Sequence, residues 1–125
     1  MTSGGLRKPE RLRRRVEFER VYSLGRRVHG KFMTVFCLNT GESRVRLGVA
    51  ASKKMGNAVE RNKAKRIARA LYRLEKPSVG TEVVIVPKRP MLKARFTLLE
   101  AEFQRSLTRN GSAIPPVKSR SPERA

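Results

Sequence analysis

Between Asn57 and Leu74 the side chains sort themselves onto two sides of a helix. Asn57 is a strong N-cap residue. Glu60 stands three positions on, where its carboxylate reaches back to the Asn57 amide and closes a capping box. Stepping about 100° per residue from Val59, the residues Val59, Ala64, Ile67, Ala70, Leu71 and Leu74 fall within one arc of roughly 140°. Arg61, Asn62, Lys65, Arg66, Arg69, Tyr72 and Arg73 fill a separate arc of similar width. Lys63 alone intrudes on the apolar side. A helix patterned this way must lie against another layer, so the rest of the chain has to hold it in place.

The polar arc is the informative one. An ordinary solvated helix face mixes signs, with Glu and Lys spaced for pairing. This arc carries five Lys or Arg and no acid. Like charges on one face destabilise the free helix, which points to a polyanion as the missing partner. The whole chain agrees: thirty Lys and Arg face ten acids, all of them Glu, for a formal net charge of +20. Such an excess repels itself until a nucleic acid neutralises it. Lys53 and Lys54 stand just ahead of the helix, Gly56 allows a sharp turn, and the helix N-terminus offers amides to a phosphate. Arg grips phosphate in a bidentate way, and Asn62 can bond to sugar or base.

Other classes fit less well. With 125 residues and 38 % apolar content, the chain supports one modest domain. It has no apolar run near 18 residues, no apolar signal-peptide core, and Cys37 as its single cysteine. These features predict no transmembrane helix, no internal disulfide and a reducing cytoplasm. A self-sufficient nuclease needs clustered carboxylates or a histidine pair. Here the glutamates are scattered and His29 is the sole histidine. Cys37 reads as a small core residue.

Along the chain, residues 1–9 read as a flexible basic arm. A first helix runs from Val16 to Leu24 and stops at Gly25. Phe18 and Tyr22 share one of its faces, either as core or as stacking platforms for unpaired bases. His29 reads as a surface residue in a basic connection. Phe32 to Leu38 is a strand with Phe32, Thr34, Phe36 and Leu38 on one face and Met33, Val35 and Cys37 on the other. Arg44 to Ser52 is the next strand, and Gly48, Ala50 and Ala51 leave room for a close neighbour on one side. Glu82 to Pro87 is a buried strand, followed by the basic turn Lys88-Arg89-Pro90. A last helix starts near Thr97, with Thr97 and Glu100 as a second capping box and Leu99, Phe103 and Leu107 as its core stripe. From Asn110 to Ala125 the composition predicts a disordered basic tail.

The run Ser52-Lys53-Lys54-x-Gly56-Asn57-Ala58-Val59-x-Arg61-Asn62-x-x-Lys65-Arg66-x-x-Arg69 resembles the signature of the bacterial ribonuclease P protein family. Arg11 and Leu12, followed by Phe18, Val21, Tyr22 and Gly25, match the family's first helix. The resemblance covers residues 10–109. It implies an α+β fold of the ribosomal protein S5 domain 2-like kind, a two-layer sandwich of three helices on a mixed four-stranded sheet with a left-handed βαβ crossover. It implies a protein subunit of ribonuclease P that binds the catalytic RNA and precursor tRNA and assists 5′-end maturation of tRNA, with no membrane partner. Catalysis would reside in the partner RNA, which would hold the Mg²⁺ ions, with none bound by the protein alone. By this resemblance Lys53, Lys54, Asn57, Arg61, Asn62, Lys63, Lys65, Arg66, Arg69 and Arg73 bind RNA. Arg11, Phe18, Tyr22 and Phe36 line a cleft for the 5′ leader, which opens the aromatics towards solvent. Lys63 stands where the family commonly has Arg, keeping charge but not a bidentate grip. The competing expectation is a ribosomal or ribosome-assembly RNA-binding protein of similar fold.

Overall fold

The computed structural model describes residues 11–41, 45–77 and 80–111, with side chains up to Thr108. Helix α1 spans Arg15–Leu24, and strands β1, β2 and β3 span Arg26–His29, Met33–Asn39 and Arg46–Val49. A single 3-10 turn, Lys53–Met55, leads into α2, Ala58–Leu74. Strand β4, Thr81–Pro87, a second 3-10 turn, Arg89–Lys93, and α3, Phe96–Gly111, complete the chain. The sheet order is β1-β2-β4-β3. β2 runs antiparallel to β1 and to β4. β3 and β4 are parallel and joined through α2, so the sheet is mixed.

Strand alternation divides the core in two. Met33, Val35, Cys37, Leu47, Val83 and Ile85 share one face with Ala64, Ala68, Leu71 and Tyr72 of α2 and Leu99 and Phe103 of α3. Val84, Phe36, Leu38, Ala50 and Val86 form the other face with Leu12, Phe18 and Val21. The expected two layers are the sheet with α2 and α3; α1 lies across the opposite face as a partial third. Gly48 makes that possible. A Cβ there would sit 2.7 Å from the Phe18 ring and 3.1 Å from Leu12, the close neighbour that the small residues of this strand anticipate.

Both edge strands have only four residues, a length that limits edge-to-edge pairing. The β3 edge is also covered: Leu12 donates its amide to the Leu47 carbonyl at 2.9 Å, and Arg11 bridges to Leu47 in parallel. Two carboxylates tie elements together. Glu102 of α3 is buried and accepts the amides of Lys31, Phe32 and Met33 at 2.9–3.0 Å, which fixes the β1–β2 turn. Glu17 of α1 accepts the amides of Arg13 and Arg14 and pairs with Arg46 at 2.9 Å, while Arg46 also meets Glu82 at 3.3 Å. The Arg14 and Arg13 amides, helped by Arg46, hold the Glu17 carboxyl down at about 2 against the opposing effect of burial.

Several boundaries differ from the sequence reading. The 44–52 strand shortens to Arg46–Val49, because Ser52 onwards coils into the first 3-10 turn. Phe32 lies ahead of β2 and packs on the α2/α3 core, not beside Thr34 and Phe36. α3 begins at Phe96, with the Arg95 carbonyl accepting from Leu98 and Leu99, so Thr97 lies inside the first turn and is not its cap. α3 also reaches Gly111, past the expected boundary at Asn110. The 1–9 arm and positions 112–125 of the tail lie outside the described residues.

Candidate nucleic-acid interface

The start of α2 is built as its sequence indicates. Asn57 Oδ1 accepts the Glu60 amide at 2.8 Å, and Glu60 Oε1 accepts the Asn57 amide at 2.9 Å. Gly56 sits at φ 147°, where a Cβ would fall 2.1 Å from that carboxylate, so the turn demands glycine. Two guanidiniums then close on the 3-10 turn ahead of it. Arg61 donates to the Gly56 carbonyl and Arg89 to the Met55 carbonyl, each at 2.8 Å. Their effect is to fix the loop that carries the exposed Lys53 and Lys54.

Burial turns α2 relative to the wheel. Ala64, Ala68, Leu71 and Tyr72 are fully buried, whereas Val59 is 74 % and Leu74 59 % exposed. The wheel sorts by polarity, which puts Tyr72 with the cations; the sheet beneath α2 takes the Tyr72 ring and leaves Val59 out. With this rotation the cationic arc has two rows. Arg61, Lys65 and Arg69 are half-buried at the edge of the core; Asn62, Arg66 and Arg73 are exposed. Lys63 belongs to neither row. Its Nζ donates to the Leu92 carbonyl at 2.9 Å on the other flank, so its position serves to anchor the second 3-10 turn. Asn57 likewise spends its side-chain oxygen on the cap.

Arg11, Arg13, Lys65 and Arg69 gather with Leu12, Phe18, Leu47 and Val49 around an open cleft of about 130 Å³ at the β3 edge. Burial and the nearby cations Arg11 and Arg73 push the Arg69 pKa down. An arginine keeps its proton through such a shift, and the crowding amounts to a standing preference for an anion there. Phe18 connects this cleft to the aromatic group. Its ring centroid lies 6.4 Å from that of Tyr22, and Tyr22 meets Phe36 edge-on at 4.8 Å. Tyr22 is 38 % exposed, with Phe18 and Phe36 half-buried. The spacing left core and platform both open; the structure gives each ring a packed side and an open side. Of the expected cleft residues, Phe18, Tyr22 and Phe36 come together directly, and Arg11 joins through Phe18.

Two basic residues beyond the expected set belong to this surface. Arg13 lines the cleft, and Arg89 clamps the loop before α2. The Lys88-Arg89-Pro90 run was the sequence signal for Arg89. Cys37 faces the core, and burial pushes its thiol up to about 12, which suits a packing residue and not a nucleophile. Among the described residues, no three His, Cys, Asp or Glu side chains come together in a way that could hold a metal ion.

An α+β fold with a mixed sheet, two rows of cations around one edge and open aromatics on one face has the character of an RNA-binding protein. The Ribonuclease P family model matches residues 6–111. The ribonuclease P protein component of Oleidesulfovibrio alaskensis is 41 % identical over 97 residues, covering 74 % of this chain and 78 % of that one. That of Staphylococcus haemolyticus is 33 % identical over 102 residues, covering 82 % and 87 %. Among solved structures, the ribonuclease P protein of Thermotoga maritima superposes with a TM-score of 0.71 at 27 % identity, over 80 % of this chain and 96 % of that one. The Staphylococcus aureus protein superposes at 0.69 and 26 % identity, over 81 % and 94 %. This chain belongs to the ribonuclease P protein family. It is a protein component of that tRNA-processing ribonucleoprotein, and the ribosomal-protein alternative is not favoured.

Proposed function

We propose that this subunit binds two RNAs with two surfaces that meet at Phe18. The α2 rows and the Lys53–Lys54 loop dock on the catalytic RNA, and the Phe18–Tyr22–Phe36 cleft holds the 5′ leader of precursor tRNA. The observation that carries this reading is the continuity of the two surfaces: Lys65 and Arg69 of α2 share the β3-edge cleft with Phe18, whose ring leads on to Tyr22 and through it to Phe36. The residues that take part are Lys53, Lys54, Asn62, Lys65, Arg66, Arg69 and Arg73 for docking, and Arg11, Phe18, Tyr22 and Phe36 for the leader. Arg61 acts by fixing the loop as well as by its charge.

The cations screen repulsion between enzyme RNA and substrate RNA, which lowers the salt that assembly requires. The rings stack on unpaired bases, a contact that only a precursor with a leader offers. In this reading Mg²⁺ is held by the partner RNA, where it supplies Lewis-acid chemistry to the scissile phosphate, and the protein works in the cytoplasm. Among the described residues no helix is long and apolar enough to cross a membrane. The test is a cleavage assay on precursor tRNA. Protein with its catalytic RNA and Mg²⁺ should release the leader, and protein alone should not. Cleavage at the mature 5′ end by protein alone would refute the assignment of catalysis to RNA.

A further inference from the structure

Glu17 spends its two oxygens on different parts of the fold. Oε1 accepts the amides of Arg13 and Arg14 at 2.8 and 3.0 Å. Oε2 meets the Arg46 guanidinium at 2.9 Å. Arg46 opens β3, and by β pairing it lies opposite Glu82 of β4, whose buried carboxylate it meets at 3.3 Å. The contacts therefore run from a strand inside the sheet, through an edge strand, to the backbone ahead of α1. Leu12 and Arg13 belong to no helix or strand. Two backbone amides fix them: that of Leu12 donates to the Leu47 carbonyl, and that of Arg13 to Glu17.

That backbone carries half the cations of the cleft. Arg11 and Arg13 line it from this side, Lys65 and Arg69 from α2. Like charges around one small cleft repel, and the exposed Arg11 and Arg13 would move apart if their backbone were free. A cation whose backbone is fixed in advance loses less entropy on binding than a mobile one. Glu17, Arg46 and Glu82 together carry one net negative charge, two carboxylates against one guanidinium, placed under the start of α1. Sequestering ions in this way is costly, and an apolar set of similar volume often packs as well or better. A role in the cleft accounts for that cost. Glu17 also precedes Phe18, so fixing it sets the Phe18 ring against Gly48.

We propose that Glu17, anchored through Arg46 to Glu82, is a positioning residue for RNA in the β3-edge cleft: it holds the backbone ahead of α1 so that Arg11 and Arg13 meet the leader strand together. Glu17 makes no contact of its own with the RNA. The sign of its effect is diagnostic. Removing a carboxylate from a protein of net charge +20 should, by charge alone, tighten every RNA contact. The positioning role gives the opposite result for the leader. This inference rests on the leader reading of the cleft.

The test measures binding of precursor tRNA and leaderless mature tRNA to the protein assembled with its catalytic RNA, across a salt series and per folded molecule. Glu17→Ala should weaken precursor binding about four- to fifteenfold at 0.15 M salt and lower the salt slope by about 0.7 to 1.4, the share of one or two single-strand phosphates. Mature-tRNA binding should not fall. Glu17→Gln keeps an oxygen for the two amides and should lose less. In an Arg11→Ala/Arg13→Ala background, Glu17→Ala should cost no further precursor affinity, the coupling expected of residues that act as a unit. Tighter or unchanged precursor binding by Glu17→Ala, an equal loss on mature tRNA, or a full additional loss in that background overturns the positioning role. The Arg11→Ala/Arg13→Ala variant separates the two readings. If it lowers the preference for precursor while Glu17→Ala does not, the positioning role alone fails. If neither alters that preference, the leader reading of the cleft fails with it.

Discussion

The two faces of the sheet use alternate residues of the same strands, yet they are finished to different ends. On the α2/α3 face, Met33, Val35, Val83 and Ile85 are fully buried against Leu71, Tyr72 and Phe103. On the α1 face, Val21 and Val84 are fully buried, but Phe18, Phe36 and Tyr22 keep an open side. One helix cannot cover a four-stranded sheet, and the three aromatics lie where α1 meets it, each with an open side. The difference teaches that this small chain builds its core on one face and leaves the other half-open, the face to which the proposal assigns the leader.

Truncation should separate the faces most sharply. Phe103→Ala empties a fully buried site and should cost about 3–5 kcal/mol in urea unfolding, with RNA affinity per folded molecule retained. Phe36→Ala should cost only about 1–2 kcal/mol, since part of the ring is already solvated. Comparable losses at the two positions would erase the distinction between a dry and a working face.

A smaller effect follows from acid. The Glu17 carboxyl is held at about 2 in the folded protein against its usual 4.5. The stabilisation is therefore complete above about pH 4.5 and is lost as pH falls towards 2. Solvent screening leaves it at about 1 kcal/mol. Glu17→Gln should flatten the acid limb of a stability-versus-pH curve by that amount. An unaltered acid limb would remove the Glu17 carboxylate, with its Arg14 and Arg13 amides and its Arg46 partner, from the account of how the start of α1 is held.

The smallest contrast lies on α2 itself. Arg66→Ala should lower the salt slope of catalytic-RNA binding by about 0.9, one phosphate's worth against duplex. Lys63→Ala should leave the slope in place and cost about 0.5–1 kcal/mol of stability by releasing the Leu92 carbonyl. Equal slopes for both variants would put Lys63 back on the RNA-facing surface.

What the sequence made legible was local. The Asn57–Glu60 capping box and the alternation of β2 follow from rules that act within a few residues, whereas the small residues Gly25 and Gly48 answer to neighbours far along the chain, Cys37 and Phe18. The rotation of α2 did not, because polarity cannot say which side of a helix a sheet will meet; that is why Tyr72 and Val59 exchanged places. The carbonyls taken by Arg61, Lys63 and Arg89 were illegible for a similar reason. A basic residue near an RNA site reads as a phosphate contact until its own backbone partner is seen. The signature run identified the family while concealing that the Asn57 side-chain oxygen and the Lys63 ammonium serve the fold.

The central claim is that the half-open face of the sheet holds the leader. The direct measurement is the affinity of the assembled enzyme for precursor tRNA against mature tRNA, for wild type and Phe36→Ala. The account predicts a clear precursor preference in wild type, reduced in the variant by about 1–3 kcal/mol, the size of one base–aromatic stack. Equal affinity for the two tRNAs in wild type, or an undiminished preference in Phe36→Ala, would contradict it.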